Sequence, residues 1–493
     1  MKLRHVWLLT LVALSLSACH RSSDAVNVAA QGQAGVADRI QRVENGLLPA
    51  ITIKGQTSTM KLSERMAYYK APGLSVAVIN NGKIEWARGY GVVEKDGSKP
   101  VTADTLFLAG SISKPVAALA ALRLVEQGKL DLDEDVNLKL KTWKVPENEF
   151  TKEKKVTLRG LLSHSAGLTV HGFPGYAVDA PMPTMVQILN GEKPANTAAI
   201  RVDIVPGSRW RYSGGGYTVM QLLLMDVTGK SFPELTRELV LSPIGMKQST
   251  YENPLPKSLE NSAATAHLWT GNKVNGRWHI YPEMAAAGLW TTPSDLARYA
   301  IEVQRALSGQ SKILSREMAK QMVTVQKGNH GLGPGLENAD RESARFSHGG
   351  VDEGFDAFFT AYCTGGRGAV VMVNANRGIP LAQELIRAIA REYNWPDYLQ
   401  PERVLARVDP TIYQKYAGIY ESESGFRITM MVEDGRLWAQ GQGQPKIEML
   451  PESVTKYFSD NGIIQSFELG KDGSVTALII EQGGQTMKAK KIK

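Results

Sequence analysis

Strand-like segments near both ends of a long N-terminal region constrain the fold of this chain most strongly. The run GLSVAVINNGKIEWARGYG, which begins at Gly73, contains two apolar segments joined by Asn81-Gly82. This dipeptide predicts a β-hairpin, because both residues tolerate the positive φ angles of a two-residue turn. Two further strands are predicted over 355–363 and 369–375, and a helix over 381–393.

The stretch between the two groups of strands has a helical and loop-rich pattern. A sheet completed by distant parts of the chain, with helices in between, is typical of an α+β domain. We therefore predict an antiparallel sheet flanked by helices, together with a helical subdomain, over residues 36–395.

The pattern changes after a proline-containing linker, which we place at residues 396–409. Residues 410–493 contain short alternating strands separated by turn signals. The turn signals are Asp434-Gly435, Asn461-Gly462, Asp472-Gly473 and Gly483-Gly484. Repeated hairpins of this kind predict a small all-β domain, a barrel or a sandwich.

The N-terminus has the features of an export signal. Lys2 and Arg4 precede a short apolar core, which is too short for a permanent membrane span. The following Leu16-Ser17-Ala18-Cys19 resembles the bacterial lipobox, in which the cysteine is lipidated. We expect a signal peptide over 1–18, a lipid anchor on Cys19 and a tether over 19–35; cleavage of a plain secretory peptide near Ala18 is the alternative. Both place the protein outside the cytoplasm, and the first makes it a periplasmic, membrane-anchored lipoprotein.

Composition excludes several classes of protein. With 43% hydrophobic and 22% charged residues, the chain is neither disordered nor fibrous. Its formal charge of +8 comes from scattered lysines and arginines, without the aromatic-interleaved stripe expected for nucleic-acid binding. Cleavage before Cys19 would leave only Cys363, so we expect no intramolecular disulfide.

The tetrad Ser111-Ile112-Ser113-Lys114 is the main catalytic candidate. Residues at i and i+3 share one face of a helix, so a buried Lys114 could take the proton of Ser111 and activate it as a nucleophile. The same pattern occurs at Ser58 and Ser453, but only Ser111 follows a strand-like run and opens a long apolar helix, predicted over 115–126. A helix N-cap is the simpler alternative for Ser111.

Seven segments in order resemble the β-lactamase-related serine hydrolases, which include class C β-lactamases, D-Ala-D-Ala carboxypeptidases and esterases. They are LAGSISKP, GKLDLDEDV, VTLRGLLSHSAGL, PGSRWRYSGGGY, LSPIGMKQST, AAGLWTTPSDLARY and SHGG. The resemblance implies the β-lactamase/transpeptidase fold for the N-terminal domain. The C-terminal domain resembles the lipocalin-like barrels that accompany some of these hydrolases.

The resemblance also implies roles for particular residues. Tyr212 would relay a proton between the nucleophile and the leaving group, and His348 would assist substrate binding or proton transfer. Backbone N–H groups of Ser111 and Val351 would form the oxyanion hole. The remaining substrate-binding positions implied by the family are Ser213, Gly214, Gly349 and Gly350.

Three positions need separate comment. Gly214 stands where the family usually has asparagine, which weakens the expectation of β-lactam or peptide binding. His164, within LLSHSAGL, is interpreted as holding a loop by hydrogen bonds. Residues 171–194, rich in Pro, Gly and Met, are expected to cover the cleft.

We expect no cofactor and no metal, since the sequence contains neither His-Glu-x-x-His nor Cys-x-x-Cys. The hypothesis is an extracytoplasmic serine hydrolase that forms an acyl-enzyme on Ser111, with Lys114 as general base and Tyr212 as relay. Its substrates would be D-amino-acid peptides, esters or β-lactams. The alternative is a penicillin-binding-type receptor or scaffold that acylates slowly or not at all. The sequence does not determine whether the protein forms a homo-oligomer.

Overall fold

A computed structural model describes residues 35–493 except Thr57, Gln400, Ser424, Pro445, Gly483 and Gly484. The expected signal peptide, the lipidation site Cys19 and the tether up to residue 34 therefore lie outside the described residues, as does the Gly483-Gly484 turn signal. Within the described part of the chain, no helix combines the length and apolar character needed to cross a bilayer.

The described helices are α1 (35–44), α2 (Leu62–Tyr68), α3 (Ser113–Glu126), α4 (Leu158–Leu162), α5 (Met185–Asn190), α6 (Gly214–Thr228), α7 (Phe232–Thr236), α8 (Lys257–Glu260), α9 (Met284–Ala287), α10 (Pro293–Leu307), α11 (Arg316–Met322), α12 (Gly378–Glu392) and α13 (Tyr413–Tyr416). Short 3₁₀ turns occur at Gly110–Ile112, Val136–Leu138, Glu149–Thr151 and Pro410–Ile412, and a π-helical segment at Arg237–Leu241.

The strands are β1 (Gly73–Asn80), β2 (Lys83–Gly91), β3 (Phe107–Leu108), β4 (Trp290–Thr291), β5 (Gly335–Glu337), β6 (Arg345–Asp352), β7 (Phe355–Tyr362), β8 (Gly368–Val373), β9 (Gly418–Ser422), β10 (Arg427–Glu433), β11 (Arg436–Gly441), β12 (Ile447–Pro451), β13 (Lys456–Phe458), β14 (Ile464–Leu469), β15 (Val475–Gln482) and β16 (Gln485–Lys491).

The main sheet joins the two ends of the N-terminal region, as the sequence predicts. Its strand order is β2-β1-β8-β7-β6-β5, and every neighbouring pair is antiparallel. Asn81 and Gly82 form the β1–β2 turn with φ angles of 52° and 70°. The predicted fold class, an antiparallel sheet flanked by helices, is confirmed.

Side chains of β1 alternate between two hydrophobic cores, because successive residues of a strand point to opposite faces of the sheet. Ala77 and Ile79 belong to the larger core, which also contains α3, α6 and α10. Val76 and Val78 belong to the smaller core, which is covered by α12. The sheet is thus buried on both faces.

Helix α3 is apolar on all sides and is buried along most of its length. A helix of this kind must lie inside a domain. The predicted start at residue 115 was two residues late, because the 3₁₀ turn at Gly110–Ile112 leads directly into Ser113. The alternative in which Ser111 caps the helix is wrong: the N-cap position is Ile112, and no side chain caps it.

The C-terminal strands β9–β16 form a closed antiparallel barrel with its own core. Tyr416 and Phe467 stack there at 4.1 Å between ring centroids. The barrel alternative of the prediction is therefore confirmed over the sandwich. Arg403 connects the barrel to the N-terminal region: it forms a bridge with Ile53 and an ion pair of 2.6 Å with Glu452.

Candidate active site

The Ser111–Lys114 pair forms as the tetrad predicts. Nζ of Lys114 lies 2.9 Å from Oγ of Ser111 and donates to the carbonyl oxygen of Ala286 at 2.7 Å. Lys114 is 1% exposed, whereas Ser111 is half-buried. The hydroxyl is thus partly exposed, while the amine beside it is shielded from water.

Strand β6 packs directly against the turn that carries Ser111. A Cβ at Gly350 would lie 1.9 Å from the carbonyl oxygen of Ala109, and a Cβ at Gly110 would lie 2.5 Å from the backbone nitrogen of Val351. Only glycine fits such a close approach of two backbones. The structure therefore brings Ser111 and Val351, the predicted oxyanion-hole residues, to one place.

Tyr212 lies beside the lysine. Its ring centroid is 5.0 Å from Nζ of Lys114, and it stacks on His164 at 4.2 Å. A cation this close to an aromatic face is favourable. Tyr212 is half-buried.

The side chain of Ser213 forms hydrogen bonds with the surrounding backbone. Its Oγ accepts from the N–H of Gly216 at 2.9 Å and donates to the carbonyl oxygen of Thr169 at 2.8 Å. This caps α6 at its N-terminus. The substrate-binding role of Ser213 stays a prediction.

The space around Gly214 is restricted. A Cβ at this position would lie 3.0 Å from both the carbonyl oxygen of His171 and Cε2 of Phe173. The N–H of Gly214 also donates to His171 at 3.0 Å. The start of the segment expected to cover the cleft thus occupies the room that a larger side chain would need.

His348 is a neutral imidazole in this site. Its Nδ1 donates to the carbonyl oxygen of Gly349 at 2.6 Å, while its buried Nε2 has no hydrogen-bond partner. Burial, with the nearby charge of Lys114, lowers the pKa of His348 to about 3. The sequence left its charge conditional; the structure places an uncharged ring at this position of β6.

His164 has the loop-holding contacts that the sequence suggested. Its carbonyl oxygen accepts from the N–H of Arg211 at 2.8 Å, and its Nδ1 accepts from the N–H of Ser213 at 3.1 Å. Both contacts fix the backbone on either side of Tyr212. Burial lowers the pKa of His164 well below its usual value, so this ring is also neutral.

Sequence reasoning missed His330, which lies in the same cluster. One nitrogen from each of the His164, His330 and His348 rings lies within 4.8 Å of the other two. No linear motif could reveal this grouping, because the three residues come from separate segments of the chain. His330 directly precedes the glycine-rich segment Gly331–Gly335. A Cβ at Gly333 would lie 2.9 Å from Cβ of Ala118 in α3.

Two buried acids near the site were also missed. Glu283 is fully buried, and its backbone carbonyl accepts from the N–H groups of Ala286 and Ala287 in α9. The carbonyl oxygen of Ala286 in turn holds Lys114. Burial raises the pKa of Glu283 to about 7, and raises that of Asp352, next to Val351, well above its usual value. Burial thus favours the neutral form of each acid over its charged form.

Comparison with known proteins agrees with the motifs and the fold. The family model "Beta-lactamase" matches residues 60–394, and "Domain of unknown function (DUF3471)" matches 402–492. Penicillin-binding protein 4* of Bacillus subtilis is 22% identical over 83% of this chain and 93% of its own length. Esterase EstB of Burkholderia gladioli is 28% identical over 38% of this chain, and the match spans 48% of that relative.

Two solved structures share the fold at low identity. The octameric penicillin-binding protein homologue from Pyrococcus abyssi has a TM-score of 0.59 and 22% identity, covering 87% of this chain and 98% of that one. The D-alanine carboxypeptidase AmpC from Burkholderia cenocepacia has a TM-score of 0.54 and 19% identity, covering 72% and 99%. With the family model spanning most of the N-terminal region, this chain belongs to the β-lactamase family of serine hydrolases.

Proposed function

We propose that this protein is an extracytoplasmic serine hydrolase that cleaves carboxylic esters through an acyl-enzyme on Ser111. The observation that carries the proposal is the 2.9 Å contact between Nζ of Lys114 and Oγ of Ser111, next to the backbone of β6. A nucleophile within hydrogen-bond distance of its base is the arrangement required for covalent catalysis.

The reaction would proceed in two steps. Oγ of Ser111 attacks the substrate carbonyl carbon while Nζ of Lys114, acting as the base, takes its proton. Tyr212 then gives its proton to the departing alkoxide as the C–O bond of the ester breaks, and the proton held by Lys114 replaces it, so both side chains return to their starting states. Water attacks the resulting acyl-serine in the second step, releasing the acid and restoring the hydroxyl of Ser111.

The choice of esters over peptides and β-lactams depends on two positions. Without a bound cation, a neutral His348 supplies no positive charge for the carboxylate that D-Ala-D-Ala peptides and penicillins carry. Gly214 supplies no carboxamide to bind a substrate amide, and the His171–Phe173 segment fills that space. An uncharged ester needs neither group.

A substrate panel tests this choice. We expect wild-type protein to turn over p-nitrophenyl butyrate and to act weakly on an acylated D-Ala-D-Ala peptide and on a penicillin. Ser111→Ala should abolish ester turnover, whereas Ser453→Ala, in another match to the Ser-x-x-Lys pattern, should leave it unchanged. A long-lived penicillin adduct without ester turnover would instead support the receptor alternative.

We further propose that Cys19 anchors the protein to the periplasmic face of a bacterial membrane. The lipobox-like Leu16-Ser17-Ala18-Cys19 supports this. Fractionation of cells that express the full chain tests it: wild-type protein should sediment with membranes, and Cys19→Ala should reduce that fraction. Equal distribution of both proteins would contradict the anchor.

A further inference from the structure

The three-histidine cluster next to Tyr212 has a chemical character that the hydrolase reaction does not use. His164 and His348 are 2% and 9% exposed, and each has a buried Nε2 without a hydrogen-bond partner. A buried polar nitrogen without a partner costs free energy, so its retention calls for a ligand. His330 completes the cluster from the more exposed side.

The hydrogen bonds of the outer ring nitrogens determine what each inner nitrogen offers. Nδ1 of His348 donates to the carbonyl oxygen of Gly349, and Nδ1 of His330 lies 3.1 Å from the side-chain oxygen of Asn329. Both rings therefore carry their proton on Nδ1 and present a lone pair on Nε2. An outward N–H donated to an oxygen is the usual arrangement of a metal-binding histidine.

His164 has the opposite tautomer. Its Nδ1 accepts from the N–H of Ser213, so the neutral ring carries its proton on Nε2. The cluster thus combines two lone pairs with one N–H donor. Such a set matches a metal ion held by two imidazoles, with the third ring donating to a water or hydroxide on that ion.

We propose that His330 and His348 bind a divalent transition-metal ion, and that His164 donates from Nε2 to a water bound to that ion. Neutral imidazole suits Zn²⁺, Co²⁺, Ni²⁺ and Cu²⁺, whereas Mg²⁺ and Ca²⁺ prefer oxygen ligands. Two protein ligands leave the remaining positions of the ion to solvent. The site is therefore one of moderate affinity that exchanges its metal.

The position of the ion connects it to the proposed hydrolase reaction. The ring of Tyr212 lies 6.1 Å from that of His348 and 6.5 Å from that of His330. A cation here would oppose the positive charge that Lys114 gains when it takes the proton of Ser111. Zn²⁺ should therefore slow ester turnover, a consequence that depends on the proposed function, whereas the binding itself does not.

Titration with Co²⁺ tests the site directly. Full-length protein without a histidine tag, stripped with a chelator, should bind one equivalent and develop visible d–d absorption, which Zn²⁺ then abolishes. The ring centroid of His330 lies 5.1 Å from that of Trp210. His330→Phe keeps an aromatic ring at this position but removes both ring nitrogens. It should weaken Co²⁺ binding at least about tenfold, because even the loss of a residue that hydrogen-bonds to a metal ligand has an effect of that size.

A control and a second variant make the outcome decisive. His279→Phe changes a half-buried histidine outside the cluster and should bind Co²⁺ like wild type. His164→Gln should weaken binding by about 10- to 100-fold while keeping both ligands. No saturable Co²⁺ uptake by wild type, or equal uptake by His330→Phe, would overturn the proposal and leave a buried water as the occupant of the cluster.

Discussion

The buried tyrosines of the C-terminal barrel and the buried acids of the hydrolase site differ in their hydrogen bonding. In the barrel, the buried hydroxyls of Tyr416, Tyr420 and Tyr457 each donate to a backbone carbonyl oxygen at 2.7–2.9 Å. Around Ser111, by contrast, the carboxyl oxygens of Glu283 and Asp352 are buried without hydrogen-bond partners. Satisfied groups stabilise a fold, whereas unsatisfied ionisable groups in a cleft are typical of function.

Lys114→Ala should have the largest effect on turnover. Removing the base that takes the Ser111 proton should lower ester turnover by about 10²- to 10⁴-fold. Lys456→Ala removes the lysine of the Ser453 tetrad, which is half-buried and lies 3.3 Å from Glu452, and should leave turnover intact. Steady-state kinetics of both variants measure this difference. Similar losses of turnover in the two variants would show that the lysines of the hydrolase site and of the barrel do not differ in this role.

Gly350→Ala should have the next largest effect, through backbone geometry alone. The added Cβ must displace Ala109, whose carbonyl oxygen would lie 1.9 Å away, so the Ser111 turn and β6 separate. We expect turnover to fall about 10²- to 10³-fold, as when an oxyanion-hole donor is lost.

Gly349→Ala is the matched control for this substitution. Its nearest contact would be Cδ1 of Ile379 at 3.5 Å, an ordinary distance. Thermal denaturation should be recorded for both variants beside their kinetics. Equal turnover of the two would show that the close approach of Gly350 has no part in the site.

Phe467→Ala tests the barrel and should spare turnover. Phe467 is 5% exposed and stacks on Tyr416, so its truncation should cost about 3–5 kcal/mol of barrel stability. Below the unfolding temperature, ester turnover should match wild type. A proportional loss of turnover would show that the barrel contributes to the site.

The smallest expected effect is on the pH dependence of stability. Burial raises the pKa of Glu283 from 4.5 to about 7, so folding favours the protonated acid. The stability that this carboxyl contributes is present below about pH 4.5 and is lost as the pH rises through 7, by at most about 3 kcal/mol.

Glu283→Gln cannot ionise and should therefore gain melting temperature relative to wild type between pH 5 and pH 8. Differential scanning fluorimetry of both proteins across this range measures the difference. Asp352 and Asp356 also have raised pKa values, but they are common to both proteins. Parallel melting curves would show that Glu283 ionises freely in the folded state.

Local signals predicted the fold well, and non-local contacts account for what they missed. The Asn81-Gly82 turn needs only its own two residues, so the hairpin was visible in the sequence. Helix α12 begins at Gly378, three residues before its predicted start, because Asp356 of β7 accepts from the N–H groups of Gly378 and Ile379. No residue adjacent to the helix could reveal that cap.

The same distinction applies to the site. Ser111 and Lys114 are three residues apart, and their contact follows from local geometry once a helix is assumed. The filling of the space around Gly214 by His171 and Phe173, and the approach of His330 to His164, require the folded chain. Spacing in the sequence carries no information about either.

Peptide mapping of a trapped acyl-enzyme tests the central claim most directly. Wild-type protein mixed with p-nitrophenyl butyrate and quenched in acid should carry one butyryl group, located by tandem mass spectrometry on Ser111. Ser111→Ala should carry none and show no turnover. A butyryl group on another residue, or ester turnover that persists in Ser111→Ala, would contradict the assignment of Ser111 as the nucleophile.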